Sequence, residues 1–285
     1  LKIATPYNEI NYSLINNKNV DKLNITHLHI YNLNTYNEYI SYINVLKHDF
    51  HIIITYIFGD PGVVNEFISL IKCDNMGADI GPKICVLDYL YNNNVEYEYI
   101  LFLHSKNNLT KREEYFQFVD TREKISKILI KLKNNSNILA VINSDLLFDF
   151  KQNSRYNYGT NAYVKEFLHF FNIDPNCETK FSEGNVLLLK KPVLDFIFSD
   201  RTTIFYNSLN NYTNSFDLNW AKYNYKDFDS SPLKLYNTVT ANASLAGSDF
   251  TCALNKQLRD CQIEHLFERI WLYVVKHLGG LYYTP

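Results

Sequence analysis

The stretch Phe50-His-Ile-Ile-Ile-Thr-Tyr-Ile57 constrains this chain more than any other. It is a run of β-branched and aromatic residues that does not alternate with polar ones, as a strand covered on both faces requires. Around it the pattern repeats. Thr26-His-Leu-His-Ile-Tyr31 reads as a short strand, and Thr35 to Lys47 places Tyr36, Tyr39, Ile40, Ile43 and Leu46 at helical spacing. Phe67 to Lys72 can form a further strand; Asn75 to Pro82 leads into a helix with proline in its first turn. Tyr97 to Leu103 and Ile138 to Ile142 read as strands, separated by a helix starting at Asp120 or Thr121 with Ile125, Ile128, Leu129 and Leu132 on one face. Parallel neighbours need crossovers, usually helical, so this succession predicts an α/β fold: a Rossmann-like, mainly parallel sheet flanked by helices.

Residues 1–25 are polar and aperiodic and read as a lead-in segment. Residues 26–285 read as one domain, in which 26–145 form the regular half and 146–285 a less regular one. The second half should hold a helix near Tyr163 to Phe171, a strand at Asn185 to Leu189 and a long helix from about Leu254 to Leu278. With 46% hydrophobic residues in 285, the chain can build a core without staples. Its five cysteines are scattered, as expected of thiols in a reducing compartment. A formal net charge of -2 provides no global field to gather nucleic acid. No apolar run reaches the roughly 18 residues of a transmembrane helix, and the first residues lack the apolar core of a secretory signal; a cytoplasmic location is the expectation. A start at Leu1 and an end on Gly279-Gly280-Leu-Tyr-Tyr-Thr-Pro285 suggest a piece of a longer polypeptide.

Ligands of open parallel sheets bind beyond the carboxyl ends of the strands. There this chain has Thr55-Tyr56, Asn75 to Asp79, His104-Ser105-Lys106 and Asn143-Ser144-Asp145, with neither GxGxxG nor GxxxxGK[ST]. That argues against a dinucleotide oxidoreductase and a P-loop NTPase. His104-Ser105-Lys106 brings an imidazole, a hydroxyl and a cation to the end of an apolar strand, which would suit a diphosphate. In Asp260-Cys-Gln-Ile-Glu-His-Leu-Phe-Glu-Arg269, the acids Asp260, Glu264 and Glu268 stack at four-residue spacing beside His265 and Arg269. A solvated, ion-paired helix face would look the same. Phe181-Ser-Glu183-Gly184-Asn185 precedes a strand, and its glycine permits close backbone approach to a ligand.

In order, these pieces resemble the rhamnan synthesis protein F family of glycosyltransferases. The resemblance rests on Leu28-His-Ile-Tyr31, the strand ending in Thr55, Asn75-x-Gly77-x-Asp79-Ile80-x-Pro82, and Tyr97-x-Tyr99-x-x-x-Leu103-His104-Ser105-Lys106. It continues through Phe181-x-x-Gly184 and His265-x-x-Glu268-Arg269. It implies the fold-A (GT-A) type of glycosyltransferase, with a nucleotide-binding Rossmann-like half joined to an acceptor-binding half. Many such enzymes hold a divalent metal with Asp-x-Asp at the strand end, where this chain has His104-Ser-Lys106. The chain departs from the family also at Cys261-Gln262 and at Glu183.

The resemblance therefore implies a glycosyltransferase moving a sugar, such as rhamnose or another deoxyhexose, from a UDP- or dTDP-linked donor to a glycan acceptor with inversion. Asp260 is the expected base, with Glu268 second and His265 beside them. Thr55, Asn75, Asp79, His104, Ser105, Lys106 and Arg269 are the expected donor contacts, and Glu183, Gly184 and Glu264 the acceptor contacts. No tightly bound metal is expected, although Mn or Mg could be held by a histidine and an acid. The alternatives are a catalytically inactive glycan-binding protein on the same fold, or a nucleotide-sugar hydrolase.

Overall fold

The computed structural model describes residues 7–11, 23–64, 68–75, 79–149, 164, 167–199, 201–202 and 263–285. Its strands are β1 (Tyr7–Asn11), β2 (Leu23–Asn32), β3 (His51–Phe58), β4 (Ser69–Cys73), β5 (Tyr97–His104), β6 (Ile138–Ile142), β7 (Leu147–Asp149), β8 (Lys180–Ser182), β9 (Leu187–Lys190) and β10 (Leu281–Tyr283). All but β7 and β8 form one sheet in the order β1-β4-β3-β2-β5-β9-β6-β10. The sheet is mixed but largely parallel. β4, β3, β2 and β5 run together, β10 follows β6, and only β1 and β9 oppose their neighbours.

Helices cover both faces, which is why the strands carry continuous apolar runs. A 3-10 turn at Leu33–Tyr39 leads into α1 (Ile40–Leu46), which shares one core with α3 (Leu109–Phe116) and α4 (Arg122–Asn134). On the opposite face lie α2 (Ile80–Asn92), α5 (Lys191–Phe198) and α6 (Ile263–His277). α4 shows how locally this is encoded. The Thr121 side chain caps it by accepting from the Lys124 amide at 3.3 Å, Glu123 sits in the first turn and Lys131 and Lys133 in the last, matching the helix dipole. Ile125, Ile128 and Leu132 are its buried face.

The structure departs from the sequence reading at β9. Lys190 faces Tyr99 and Leu187 faces Phe102, so this strand enters antiparallel between β5 and β6. An apolar run of four residues carries no mark of direction; the connection decides it. The segment 1–25 also contributes more than a lead-in, since Tyr7–Asn11 pairs with β4 at the sheet edge, where polar residues are tolerated. Among the described residues after 146, β9 and β10 join the first sheet, while β7 pairs with β8 in a small ribbon of its own.

Strand order reverses between β2 and β5. β2 hands on to β3 on one side, while β4 crosses back through α2 to β5 on the other. That is the topological switch point of an open α/β sheet, and it opens a crevice at the carboxyl ends of these strands.

Candidate functional site

Cross-strand register assembles the centre of the crevice. His29 of β2 lies opposite Thr55 of β3 on one side and opposite His104 of β5 on the other, so three polar side chains form one row on a shared face of the sheet. His27 is two residues behind His29 and shares that face. The Thr55 hydroxyl lies 2.7 Å from His27 Nε2 and 3.0 Å from His29 Nδ1.

Proton bookkeeping orders this triad. His27 Nδ1 is buried with no partner among the described residues. A bare ring nitrogen is cheaper to orphan than an N–H, so His27 carries its proton on Nε2 and donates to Thr55. Thr55 then donates to His29 Nδ1, which leaves His29 with its N–H on Nε2. His104 is fixed in the same way: its Nε2 lies 2.7 Å from the Gly184 carbonyl, which can only accept, so Nδ1 is left as the acceptor. Burial keeps all three rings neutral. It lowers His27 well below its ordinary value, His29 to about 4 and His104 to about 3.

Asp79 and Lys83 lie one turn apart at the start of α2 and form an ion pair under this row. Lys83 is only 3% exposed and also lies over the Phe102 ring at 5.7 Å. Burial pushes the Asp79 carboxyl up, but Lys83, His104 and Lys106 more than reverse this and hold it ionised far below the usual carboxylate range.

The second wall is the turn Glu183–Asn185, where Gly184 and Asn185 both take left-handed backbone, with φ of 73° and 55°. Four groups fix it. His104 donates to the Gly184 carbonyl, Gly184 N–H donates to Glu268 Oε1, Trp271 Nε1 donates to Asn185 Oδ1 at 2.9 Å, and Tyr115 packs on the glycine. Glu268 is held in turn by Arg269, which is 1% exposed and lies over the Phe181 ring at 5.4 Å. We expect Gly184→Ala to lower stability by roughly 2–4 kcal/mol, because a Cβ there sits 2.8 Å from Tyr115 Cε2 and the backbone is left-handed. Urea denaturation measures this, and a midpoint equal to that of the parent protein would contradict it.

At the mouth, Ser105 N–H donates to the His29 carbonyl at 2.7 Å and Tyr31 N–H donates to Ser105 Oγ at 3.2 Å, joining the ends of β5 and β2. Arg112 and Tyr39 pin the Lys106 backbone, while Lys106 Nζ stands 5.0 Å over the Tyr115 ring without an ion pair among the described residues. Beside this junction Tyr31 and Phe58, 46% and 52% exposed, meet edge to face at 5.4 Å, and Asn75 donates to the Tyr31 hydroxyl at 3.4 Å.

Of the residues singled out in the sequence, Thr55, Asp79, His104, Ser105, Lys106, Glu183, Gly184, Glu268 and Arg269 thus converge on one crevice, with Asn75 at its rim. Thr55, Asp79, Glu268 and Arg269 act on other groups of the site rather than opening on it. Asp260 lies outside the described residues, as do the side chains of Glu264 and His265, which are placed only as positions on α6. The sequence reading missed His27, His29, Lys83 and Tyr115. A signal for the first two existed: His27 and His29 alternate on one strand, and period two aims both at one face. The chain matches no protein-family model, and comparison with curated proteins and with solved structures finds no match either. Among the described residues no group of three or more His, Cys, Asp or Glu side chains could hold a metal ion, and no helix is long and apolar enough to cross a membrane.

Proposed function

We propose that this crevice binds a nucleoside-diphosphate sugar and that the chain is a glycosyltransferase of the fold-A type, akin to the rhamnan synthesis protein F family. One observation carries the reading. At the switch point of a Rossmann-like sheet, Lys106, held by its backbone yet with its ammonium free of a described ion pair, stands beside a row of oriented neutral imidazoles.

A leaving nucleoside diphosphate gains negative charge as the glycosidic bond breaks, and fixed donors at that point lower the barrier more than mobile water does. Lys106 supplies a full charge there and His29 Nε2–H an oriented donor. Asp79 and Lys83 neutralise each other, so the charge left to meet an anion here is that of Lys106. The acceptor glycan would enter from the Glu183–Asn185 side. Tyr31 and Phe58 offer an apolar face of the size that a nucleobase or sugar ring covers.

Calorimetry of the chain with UDP, dTDP, GDP and pyrophosphate, each with Mn²⁺ and with EDTA, tests this. We expect selective binding of one nucleoside diphosphate, weakened about tenfold or more by Lys106→Ala, since a desolvated charge-assisted contact contributes roughly 1.5–3 kcal/mol. Tyr31→Ala should weaken the nucleotide and spare pyrophosphate. If none of these compounds binds, the transferase reading falls. Binding of a donor sugar without turnover on any acceptor or on water would favour the inactive glycan-binding alternative.

A further inference from the structure

Building on that donor reading, we propose that Glu183 is the general base that takes the proton from the acceptor hydroxyl. A general base must have a lone pair to offer and enough basicity to take the proton, and the other groups of the crevice lack one or the other. Asp79 is bound to Lys83 and held far below the usual carboxylate range. Glu268 spends one oxygen on the Gly184 amide and the other on Arg269. Glu114 pairs with Lys111 at 2.7 Å. His29 and His104, held at about 4 and about 3, are weaker bases than a carboxylate raised above its ordinary value. Glu183 differs from all of them. Its carboxylate is half-buried on the crevice wall and makes no hydrogen bond or ion pair with any described residue.

Its placement is also rigid. The next two residues are the left-handed pair Gly184 and Asn185, fixed from β5, α3 and α6 by His104, Tyr115, Glu268 and Trp271. So many restraints on one short turn fix the position of the residue that precedes it, as a catalytic group requires.

The charges around Glu183 suit the task. Burial raises its carboxyl above the ordinary range, and Glu268 of α6 and Glu114 of α3 add to this, while Lys111 of α3 and Lys106 at the end of β5 oppose it. The Tyr115 phenol of α3 also faces it. A raised carboxylate is a stronger base, closer to the value that general-base catalysis favours.

The acceptor oxygen forms its bond to the anomeric carbon of the donor sugar while its proton passes to a Glu183 carboxylate oxygen. The bond from that carbon to the diphosphate oxygen breaks, and the nucleoside diphosphate leaves with the electron pair beside Lys106. Glu183 then returns the proton to water.

The test uses the purified chain with UDP- and dTDP-linked rhamnose and glucose, methyl α-rhamnopyranoside or water as acceptor, and nucleoside diphosphate release as the readout. We expect Glu183→Gln to lower kcat about 100-fold or more, the usual range for a general base, while the Kd for the nucleotide changes less than twofold. Over the pH range in which the urea midpoint shows the chain folded, parent activity should fall as the pH drops towards the raised Glu183 value, and the Gln variant should lose this acid limb. Glu183→Asp should keep the limb and recover part of the rate. Turnover of the Gln variant within threefold of the parent, or an unchanged acid limb, overturns the assignment. So does a parent chain that binds nucleotide but transfers to neither acceptor. If no nucleotide binds, the donor reading fails first and the base assignment falls with it.

Discussion

Acidifying from pH 7 to about 4.5 should bring the urea midpoint of this protein down steeply, far more than its modest net charge would suggest. His27, His29 and His104 are buried neutral, the latter two at about 4 and about 3. In the unfolded chain each titrates near 6.5. Their folded values lie below their unfolded ones, so between pH 6.5 and 4 the unfolded state binds more protons. The stability they allow is full above 6.5 and is lost as the pH falls. At pH 4.5 each histidine disfavours the folded state by roughly 2–3 kcal/mol, at about 1.4 kcal/mol per pH unit. Three together approach the roughly 5–15 kcal/mol that a whole domain has available. Urea titrations at pH 7.5, 6.5, 5.5 and 4.5 measure the slope. His104→Gln should flatten it by about a third while keeping an N–H for the Gly184 carbonyl. A midpoint that stays level from pH 6.5 to 4.5 would mean that these rings are not buried neutral in solution.

This acid sensitivity is written in Thr26-His-Leu-His-Ile-Tyr31, yet the sequence alone shows only part of it. The strand itself was legible from its alternation of histidines with Leu28 and Ile30, and β6 falls at Ile138–Ile142 as expected because an apolar run bounded by polar residues admits few other readings. Asp79, His104 and Lys106 were legible as candidates because they end or follow strands, and a parallel sheet collects strand ends in one place; Thr55 lies inside β3, three residues before its end. The cross-strand row was hidden. It depends on the register of β2 against β3 and β5, which no local pattern fixes. Lys83 was hidden for the opposite reason: a lysine four residues after an aspartate on a helix normally marks a solvated face. Here residues 80–87 are buried on every side, so the usual pairing has been carried indoors. α3 escaped notice because half of Leu109–Phe116 is charged, and only Arg112, Tyr115 and Phe116 are buried.

Lys83→Met should lower stability at neutral pH by roughly 3–5 kcal/mol, the usual effect of leaving one member of a buried ion pair alone. Asp79→Asn should cost less. Burial already lowers the Lys83 ammonium below its ordinary value and Asp79 opposes this, so losing Asp79 moves the lysine further towards its neutral form. Asn at 79 also keeps an oxygen for the Lys83 amine, whereas Met at 83 leaves the Asp79 carboxylate without its ion-pair partner. The pH dependence has a matching sign. A depressed Asp79 stabilises the parent above the unfolded value near 4 and loses that contribution below it, so the gap between parent and Lys83→Met should narrow as the pH falls. The double variant Asp79→Leu with Lys83→Met removes both charges and should recover most of the stability, as apolar replacements of buried ion pairs often do. Urea midpoints of the parent, the two single variants and the double variant measure this, with the slope m held to the parent value as the check on two-state behaviour. A Lys83→Met variant within 1 kcal/mol of the parent would show that the pair is solvated. If the double variant folds well, its nucleotide affinity becomes the informative number. A pair whose removal leaves stability intact is present for another reason, and in this crevice that reason is the polar floor it gives the row of His29 and His104, both of which feel its charges. We therefore expect the double variant to bind UDP or dTDP several-fold more weakly than the parent while melting at nearly the same temperature.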